Sequence, residues 1–505
     1  MQDPLVGYFQ SHRKLVEGDA LELIRGAPEP LDLSRKLIEL AGADSPFVTR
    51  AMVESLLGSP GPPRRPGPSR LEPVPTSLES RASPVTLPPP GFELLREGFE
   101  PLPADRDPLQ AYGGLFAHRY AALSRILRGR SGLPDLTPIG TFRNREGEMS
   151  VIGMVREIRT TSEKHHTILT IEDDTGTLEA LVPKGSSEIR EPFLLDEVVA
   201  LRIRAGRERN RIPIVTGVLR PDVPATREPH RTGFEARAIF ISDLHVGSRS
   251  FLSDAWGRLA DYLKGQGPDP EVAETVRHLV IAGDLVDGIG IYPNQEGDLA
   301  ILDIFEQYAE LGRRLRELPS RIQVVAIPGN HDAVSPAEPQ PPLPHELAGT
   351  LPGPVKVLAN PSTFSLDGVV VTAYHGRAFD DLIPALPGAS YARPTDVMKR
   401  MLAMRHLAPM YGGKTPLSPQ PRDGLLIDPV PDIFVTGHAH TFGADRYKGI
   451  LLLNASTWQA ETEYQRMRNI SPVPARAALV RLTDLSLDVL DFSEGRARVP
   501  GEVAA

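Results

Sequence analysis

Five short apolar runs between Ile239 and Thr441 each end in a small group of Asp, His or Asn residues. Ile239, Phe240 and Ile241 run into Asp243 and His245, and His278 to Ala282 run into Gly283, Asp284 and Asp287. Ile322 to Ile327 lead to Gly329, Asn330, His331 and Asp332, Val369 to Tyr374 lead to His375, and Ile433 to Thr436 lead to Gly437, His438 and His440. Four histidines (His245, His375, His438, His440), two carboxylates (Asp243, Asp284) and Asn330 make a mixed nitrogen and oxygen donor set. Such a set suits two divalent transition metals, with Mn, Fe and Zn all compatible and soft thiolates absent. Asp284 is the carboxylate best suited to bridge the two. A pair of ions can grip a phosphate, activate a water and stabilise both attacking and leaving oxygens, so the implied chemistry is phosphoester hydrolysis. A lone core histidine is more often structural than a ligand, but seven ligand-type residues in five spaced clusters are hard to obtain by chance.

The elements that must position these residues follow from the same runs. Unbroken stretches rich in Val and Ile read as strands buried on both faces, with helices such as Trp256 to Leu263 and Leu299 to Leu315 filling the intervals. Ligands at the carboxyl ends of such strands are expected along one rim of a sheet, where open α/β folds keep their sites. Leu451 to Asn454, Ala477 to Leu482 and Leu485 to Phe492 read as strands closing a second sheet. The expected domain spans 237–492.

Taken together, Asp243, His245, Gly283, Asp284, Asp287, Gly329, Asn330, His331, Asp332, His375, Gly437, His438 and His440 resemble the full signature of the calcineurin-like metallophosphoesterases. The flanking text resembles, more narrowly, the small-subunit family of archaeal D-family DNA polymerases: Gly288 to Glu296, Pro339 to Pro342, Arg405 to Pro416 with Tyr411, and Ser456 to Asn469 with Trp458. The likeness runs from about Phe116 to the C-terminus. It implies a phosphoesterase β-sandwich flanked by helices, preceded by an OB-fold barrel. It further implies one metal on Asp243, His245, Asp284 and His440 and another on Asp284, Asn330, His375 and His438, most simply Mn2+. By the same resemblance His331 would be the general acid, with Asp332 orienting its imidazole.

The implied function is a dimetal 3′-5′ exonuclease that proofreads single-stranded or mismatched 3′ ends of DNA. Polymerisation then falls to a large catalytic partner subunit, and a sliding-clamp contact stays open. Two alternatives stand beside this reading, a non-catalytic architectural subunit and a free-standing metal-dependent phosphodiesterase. Tyr292, Arg393, Tyr411, Trp458 and Tyr464 are candidates for stacking a base or anchoring a partner. Asp287 either supports the metal-bound histidines or caps a turn, and Asp380 and Asp381 either neighbour the substrate or sit in a solvated loop.

The rest of the chain bounds these readings. A length of 505 residues predicts a multidomain α/β (α+β) protein. No apolar stretch approaches ~18 residues, so no membrane span is expected. The start at Met1, Gln2, Asp3 and Pro4 lacks a signal-peptide layout, and zero cysteines exclude disulfides and thiolate metal sites. Both fit a cytoplasmic, nucleoid-associated protein. A net charge of −9 does not suit a free-standing DNA binder, so contact with nucleic acid must rest on a local patch, on metals or on a partner.

Residues 1–58 read as a helical module, with Leu33, Leu37 and Leu40 on one face and Val48, Met52 and Leu56 recurring between Ser45 and Gly58. It is either a simple bundle or a docking module. Residues 59–106, rich in Pro, Ser and Arg, read as a flexible linker. A connecting helix over 107–135 would set Leu109, Tyr112, Phe116, Tyr120, Leu123 and Leu127 on one side, with Gly113 and Gly114 interrupting it. Five strand-like runs over 136–225 suggest an OB fold or another small barrel. Its arginines, Arg202, Arg204, Arg207, Arg209 and Arg211, offer basic character, but aromatic platforms are scarce, leaving subunit docking and nucleic-acid binding both open. The tail, 493–505, is expected to fray.

Overall fold

The computed structural model describes residues 89–493 apart from 104, 106, 145, 187–190, 206–211 and 468–470, together with residues 5, 9, 15–16, 18–27, 30–41, 47–48 and 53. Most of the expected linker, the stretch from Arg207 to Arg211 and the tail after Ser493 lie outside the described residues. The chain divides into two compact units, residues 1–85 and 86–505.

In the first unit, β1 (Leu15–Val16) pairs in parallel with β2 (Phe47–Val48), and α1 (Gly18–Arg25) and α2 (Pro30–Ala41) lie between them in sequence. Phe9, Ile24, Leu33, Leu37, Val48 and Val53 form its core. Two expectations change here. Val48 is in a strand, not a helix, and Leu40 is exposed, because the buried face of α2 runs through Leu33 and Leu37. Met52 and Leu56 lie outside the described residues.

The second unit opens with β3 (Phe92–Glu97), a strand inside the stretch read as linker, followed by α3 (Pro108–Arg128). Asp107 caps α3 by accepting from Leu109 N at 3.1 Å, and Pro108 occupies the first turn, where a missing N–H costs nothing. The helix runs unbroken through Gly113 and Gly114. Its buried stripe is Ala111, Leu115, Arg119, Leu123 and Leu127, a strict i, i+4 row, whereas Leu109 is 79% exposed. An arginine in a buried row conceals the stripe from any reading of hydrophobic pattern. Arg119 is tolerated because its Nε donates to Asp423 at 2.6 Å and its Nη1 to Pro409 O at 2.6 Å.

Five strands then close a barrel in the order β4-β5-β6-β8-β7: β4 (Gly147–Thr160), β5 (Thr167–Asp173), β6 (Gly176–Val182), β7 (Val198–Ala205) and β8 (Ile214–Leu219). Val151, Leu169, Ile171, Ala180, Leu201 and Val215 fill it. The barrel packs on the body through Ile152, Val198 and Ala200 against Leu123, Leu127 and Leu426. Glu197, buried on β7's approach, takes Arg400 at 3.0 Å and Arg220 at 3.1 Å, which ties the two parts by charge as well.

The remaining elements build two facing six-stranded sheets. The first has the order β12-β11-β10-β9-β18-β19, from β9 (Arg237–Ile241), β10 (Val276–Ala282), β11 (Gln323–Ile327), β12 (Lys356–Val357), β18 (Arg476–Arg481) and β19 (Leu487–Asp491). The second has the order β16-β17-β15-β14-β13-β3, from β13 (Ser362–Leu366), β14 (Val369–Ala373), β15 (Ile433–Thr436), β16 (Phe442–Tyr447) and β17 (Ile450–Ala455) together with β3. Thus β18, antiparallel to β9, and β19, antiparallel to β18, extend the first sheet instead of closing the second as their position in sequence suggested.

Every residue of β9, β10, β14, β15 and β17 is buried, which the four-layer arrangement explains. Phe240, Val280 and Val325 face Phe364, Val371, Val435 and Leu453 between the sheets. The alternate residues Ile239, Ile241, Leu279 and Ile281 pack outward on Trp256 and Leu259 of α4 (Ser253–Leu263) and on Tyr308 and Leu311 of α5 (Ile304–Arg316). On the far side Tyr374, Phe434 and Leu452 meet Phe379 of α6 (Phe379–Ala385) and Val397 and Met401 of α7 (Pro394–Met404). This is the helix-flanked sandwich that the resemblance implied. No helix among the described residues is long and apolar enough to cross a membrane.

Candidate functional site

The turns after β9, β10 and β11 in one sheet, and after β14 and β15 in the other, bring the predicted ligands together at the base of one cavity. The rim is therefore shared by two facing sheets and is not the edge of a single one. These turns are tight. Asp243, His245, Asp284, His438 and His440 all have φ between 49° and 63°, a left-handed conformation uncommon for such residues and typical of strained functional sites.

Space for the ligands comes from glycines. A Cβ on Gly329 would lie 2.5 Å from Asp284 N and 2.8 Å from His375 Cε1. Gly283 and Gly437 press equally closely on His375 and Asp243.

Asp243, His245, Asp284 and His440 form one group, with ligand atoms all within 4.8 Å of one another. His440 Nε2 is 3.2 Å from Asp243 Oδ1 and 3.2 Å from His245 Nε2, and His245 Nε2 is 3.7 Å from Asp284 Oδ2. A second group shares Asp284: His375 Nε2 lies 3.4 Å from Asp284 Oδ1 and 3.1 Å from Asn330 Oδ1. His438 stands beside it, its ring centroid 5.2 Å from that of His375, but its Nε2 faces Asp380 Oδ1 at 3.4 Å. So the structure gathers Asp243, His245, Asp284, Asn330, His375 and His440 directly, and places His438 at their edge.

The protonation pattern fits metal ions. His375 Nδ1 donates to Ala282 O at 2.9 Å, and His245 Nδ1 donates to the Asp287 carboxylate at 2.9 Å. In the neutral rings both Nε2 lone pairs then face other acceptors, the Asp284 and Asn330 oxygens for His375, and His440 Nε2 and the Asp284 carboxylate for His245, a convergence that a bound cation or a proton resolves. Burial holds the His245 imidazole down toward its neutral form. Burial also opposes charge on His375, yet Asp284 and Asp243 outweigh it and lift that imidazole to about 10. Positive charge is wanted at this point, and a nitrogen and oxygen donor set without thiolate suits Mn, Fe or Zn.

His331 and Asp332 separate. The His331 ring stacks edge-on over His245 at 4.6 Å, and its Nδ1 donates to Asp287 O at 2.8 Å, leaving Nε2 toward the cavity. Asp332 does not touch it. Its Oδ2 accepts from Gly329 N at 2.8 Å and Leu285 N at 3.0 Å, and its Oδ1 from the Tyr308 hydroxyl at 2.8 Å. Burial, with the Asp284 charge nearby, pushes Asp332 up to about 6. Asp332 thus braces the β10 and β11 turns that carry Asp284 and Asn330, and the expectation that it orients the His331 ring is corrected.

Asp287 proves to be the support for His245, fixed in turn by Gln459 Nε2 at 3.0 Å and Gln295 Nε2 at 3.2 Å. Gln465 similarly reaches His440 Nδ1 at 2.6 Å. Neither Gln295 nor Gln465 stood out in the sequence, because an amide carries no charge or metal-ligand signature of its own. Asp380 bonds Tyr391 and His438, and Asp381 accepts from Lys414 N at 2.6 Å and Thr415 N at 2.8 Å, so both have defined partners.

The candidate contact residues scatter. Tyr292 lines the cavity, its hydroxyl on Asp298 at 3.0 Å. Trp458 is fully buried against Trp256 and Phe492, so it reaches neither DNA nor a partner. Tyr411 is 52% exposed but stacks edge-on against Tyr112 and Phe116 of α3. Arg393 pairs with Asp396 at 3.5 Å and does not line the cavity. The side chain of Tyr464 lies outside the described residues. On the barrel, Arg156 and Arg204 pair with Glu172 and Glu148, and Arg159 with Glu179 and Glu157, which neutralises much of that face.

The family of the B subunits of DNA polymerases alpha and epsilon matches residues 238–444. The protein of Archaeoglobus fulgidus named "DNA polymerase II small subunit" is 40% identical over 369 residues, 72% of this chain and 74% of that one. The protein of the same name from Thermoplasma acidophilum is 38% identical over 76% of this chain and 78% of its own. That of Halobacterium salinarum is 33% identical over 94% of this chain and 96% of its own, so the likeness extends into the N-terminal unit. Among solved structures, Vacuolar Protein Sorting 29 of Cryptosporidium parvum is 16% identical over 52% of this chain and 95% of that one, with a TM-score of 0.28. At these identities and coverages the chain belongs to the DNA polymerase II small subunit family.

Proposed function

We propose that this chain is the 3′-5′ exonuclease subunit of a two-subunit DNA polymerase, hydrolysing the terminal phosphodiester at single-stranded or mismatched 3′ ends. The observation that carries this reading is the pair of donor groups sharing Asp284 at the base of one cavity of about 550 Å3. Asp243, His245, Asp284 and His440 would hold one divalent ion, and Asp284, Asn330 and His375, with His438, the other. Ions held there, Mn2+ first with Fe and Zn compatible, would polarise the phosphate and activate the attacking water.

The chain's own residues do the rest. His331 presents Nε2 to the cavity while its Nδ1 is held by Asp287 O, so in its protonated form it can deliver a proton to the leaving 3′ oxygen. Asp287, Gln459 and Gln465 keep the His245 and His440 rings aimed. A mismatched end frays more readily, which gives selectivity without base-specific contacts.

The name shared by the relatives supports a large partner subunit that carries polymerisation. The closed five-stranded barrel supports an OB fold, and its ion-paired arginines favour a packing and docking role over a nucleic-acid surface. The test is an end-labelled primer-template with one mismatch, incubated with the purified chain, with and without its large partner, across divalent cations. Mn-dependent shortening from the 3′ end is expected, and it disappears in Asp284→Ala and His375→Ala. A folded variant of either kind that degrades DNA at the unaltered rate refutes the assignment.

A further inference from the structure

Two positive side chains line the cavity without a direct ion pair, with the Asp380 carboxylate in the same wall already turned to His438 and Tyr391. Arg377 sits two residues beyond His375, in the turn between β14 and α6, and Lys414 lies on the loop that Asp381 pins through two backbone bonds. Neither makes a side-chain hydrogen bond or ion pair among the described residues, and the Arg377 Nε is shielded from solvent with no acceptor. Several other basic side chains among the described residues are ion-paired, such as Arg156, Arg204 and Arg313 on the surface and Arg119 and Arg400 within. In a protein of net charge −9, two cations without ion pairs in the wall of one cavity, one of them with an orphaned buried N–H, offer a place for an anionic ligand.

The metal-ligand groups at the cavity base already provide for the reacting phosphate. A volume of about 550 Å3 is in the range that takes a whole drug-sized ligand, and Ile291 and Tyr292 add apolar surface to the same wall. Guanidinium and ammonium groups are the standard partners of phosphate oxygens, the former as a fork and the latter as a point charge.

We propose that Arg377 and Lys414 form a subsite for the phosphodiester adjacent to the one cleaved, so that the site selects the end of a polynucleotide strand over a small phosphodiester. This rests on the nuclease reading for its substrate, but its test includes binding without turnover.

The full-length chain and its Arg377→Gln, Lys414→Gln and Arg377→Lys variants would be compared on a labelled oligo-dT 20-mer and on bis(4-nitrophenyl) phosphate with Mn2+. Equilibrium binding of the same 20-mer would be measured in excess chelator at several salt concentrations. Each neutral variant is expected to raise KM for the 20-mer roughly tenfold, as for removal of one charge-assisted hydrogen bond, with a smaller effect on kcat. The ratio of kcat/KM for the 20-mer to that for the small diester should fall accordingly. In chelator the dependence of log K on log salt should flatten by about 0.7 for each phosphate no longer neutralised, and Arg377→Lys should restore it.

Equal losses on both substrates, or an unaltered salt dependence, overturn the proposal while leaving the nuclease reading intact. Absence of hydrolysis by the unaltered chain on either substrate defeats the nuclease reading instead, and the chelator arm still decides whether these two side chains hold a strand.

Discussion

The Gly329→Ala substitution tests the site at its tightest point. Gly329 lies between β11 and Asn330, and an added Cβ would stand 2.5 Å from Asp284 N and 2.8 Å from His375 Cε1. Non-bonded heavy atoms settle near 3.5 Å, so something must move by roughly 1 Å. The neighbours are the Asp284 carboxylate, which also accepts from His331 N at 2.8 Å, a backbone nitrogen and an imidazole held by Ala282 O, none of which is the loose end of a long flexible side chain. Overpacking of this kind costs about 1–3 kcal/mol of stability. Displacing a reacting group by about 1 Å costs on the order of 100-fold in rate. The variant should therefore remain folded, with an unfolding free energy from urea titration reduced by no more than that amount, while Mn-dependent 3′ shortening falls about 100-fold. Gly353→Ala is the control, since its Cβ would meet nothing within 4 Å. The measurement pairs urea unfolding with single-turnover degradation of a labelled strand. A Gly329→Ala protein that keeps both the rate and the stability of the unaltered chain would show that Asp284 and His375 are not confined as described, and the reasoning from close packing to catalysis would fail.

Further outcomes follow from other contacts. Arg119→Met removes the charged partner of the fully buried Asp423 carboxylate, leaving it hydrogen bonds from His406 Nε2 at 2.9 Å and Leu425 N at 3.0 Å, and should cost about 3–5 kcal/mol in urea unfolding; a loss under 1 kcal/mol would mean that the pair is not shielded as the structure has it. The Asp367 side chain is 3% exposed and accepts from His278 Nε2 at 2.7 Å and Arg277 Nε at 2.8 Å; burial opposes its charge, but these partners hold it down at about 2, below the ordinary 3.8. Because the folded value is the lower one, the stabilisation of about 2 kcal/mol is present above pH 4 and fades as pH falls toward 2. Asp367→Asn should remove that part of the acid dependence, seen as a flatter profile of urea midpoint against pH. Tyr308→Phe leaves Asp332 Oδ1 without its donor and should cost about 1–3 kcal/mol, whereas His331→Gln should leave stability nearly unaltered and lower the 3′ shortening rate by about 100-fold or more. If Tyr308→Phe instead reproduced the catalytic loss of His331→Gln at full stability, the separation of Asp332 from the proton-transfer step would be wrong.

The residues of ligand type, their order and the strands that present them were legible in the chain alone, because a strand buried on both faces leaves an unbroken apolar run and the polar turn after it interrupts that run abruptly. The barrel strands and the capped start of α3 were legible for the same local reasons. What needed the folded chain was long-range. The ligands come from two facing sheets, β18 and β19 join the first sheet, and β3 closes the edge of the second from within an apparent linker.

Pairing between distant strands leaves no periodicity in sequence, so these assignments depend on which partner is free once the sandwich forms. Side-chain partnership escapes in the same way: the Asp332 carboxylate is adjacent to His331 in the chain but turned to Tyr308, Leu285 and Gly329, and Arg119 sits in an apolar row only because Asp423, 304 residues away, meets it there. Trp458 looked like an exposed aromatic because its neighbours are polar in sequence, and it is core because Trp256 and Phe492 close over it. Composition and spacing determined which ligand-type groups this protein carries; packing decided which of them face one another, since a side chain's direction is set by the element that covers it and not by its neighbours along the backbone.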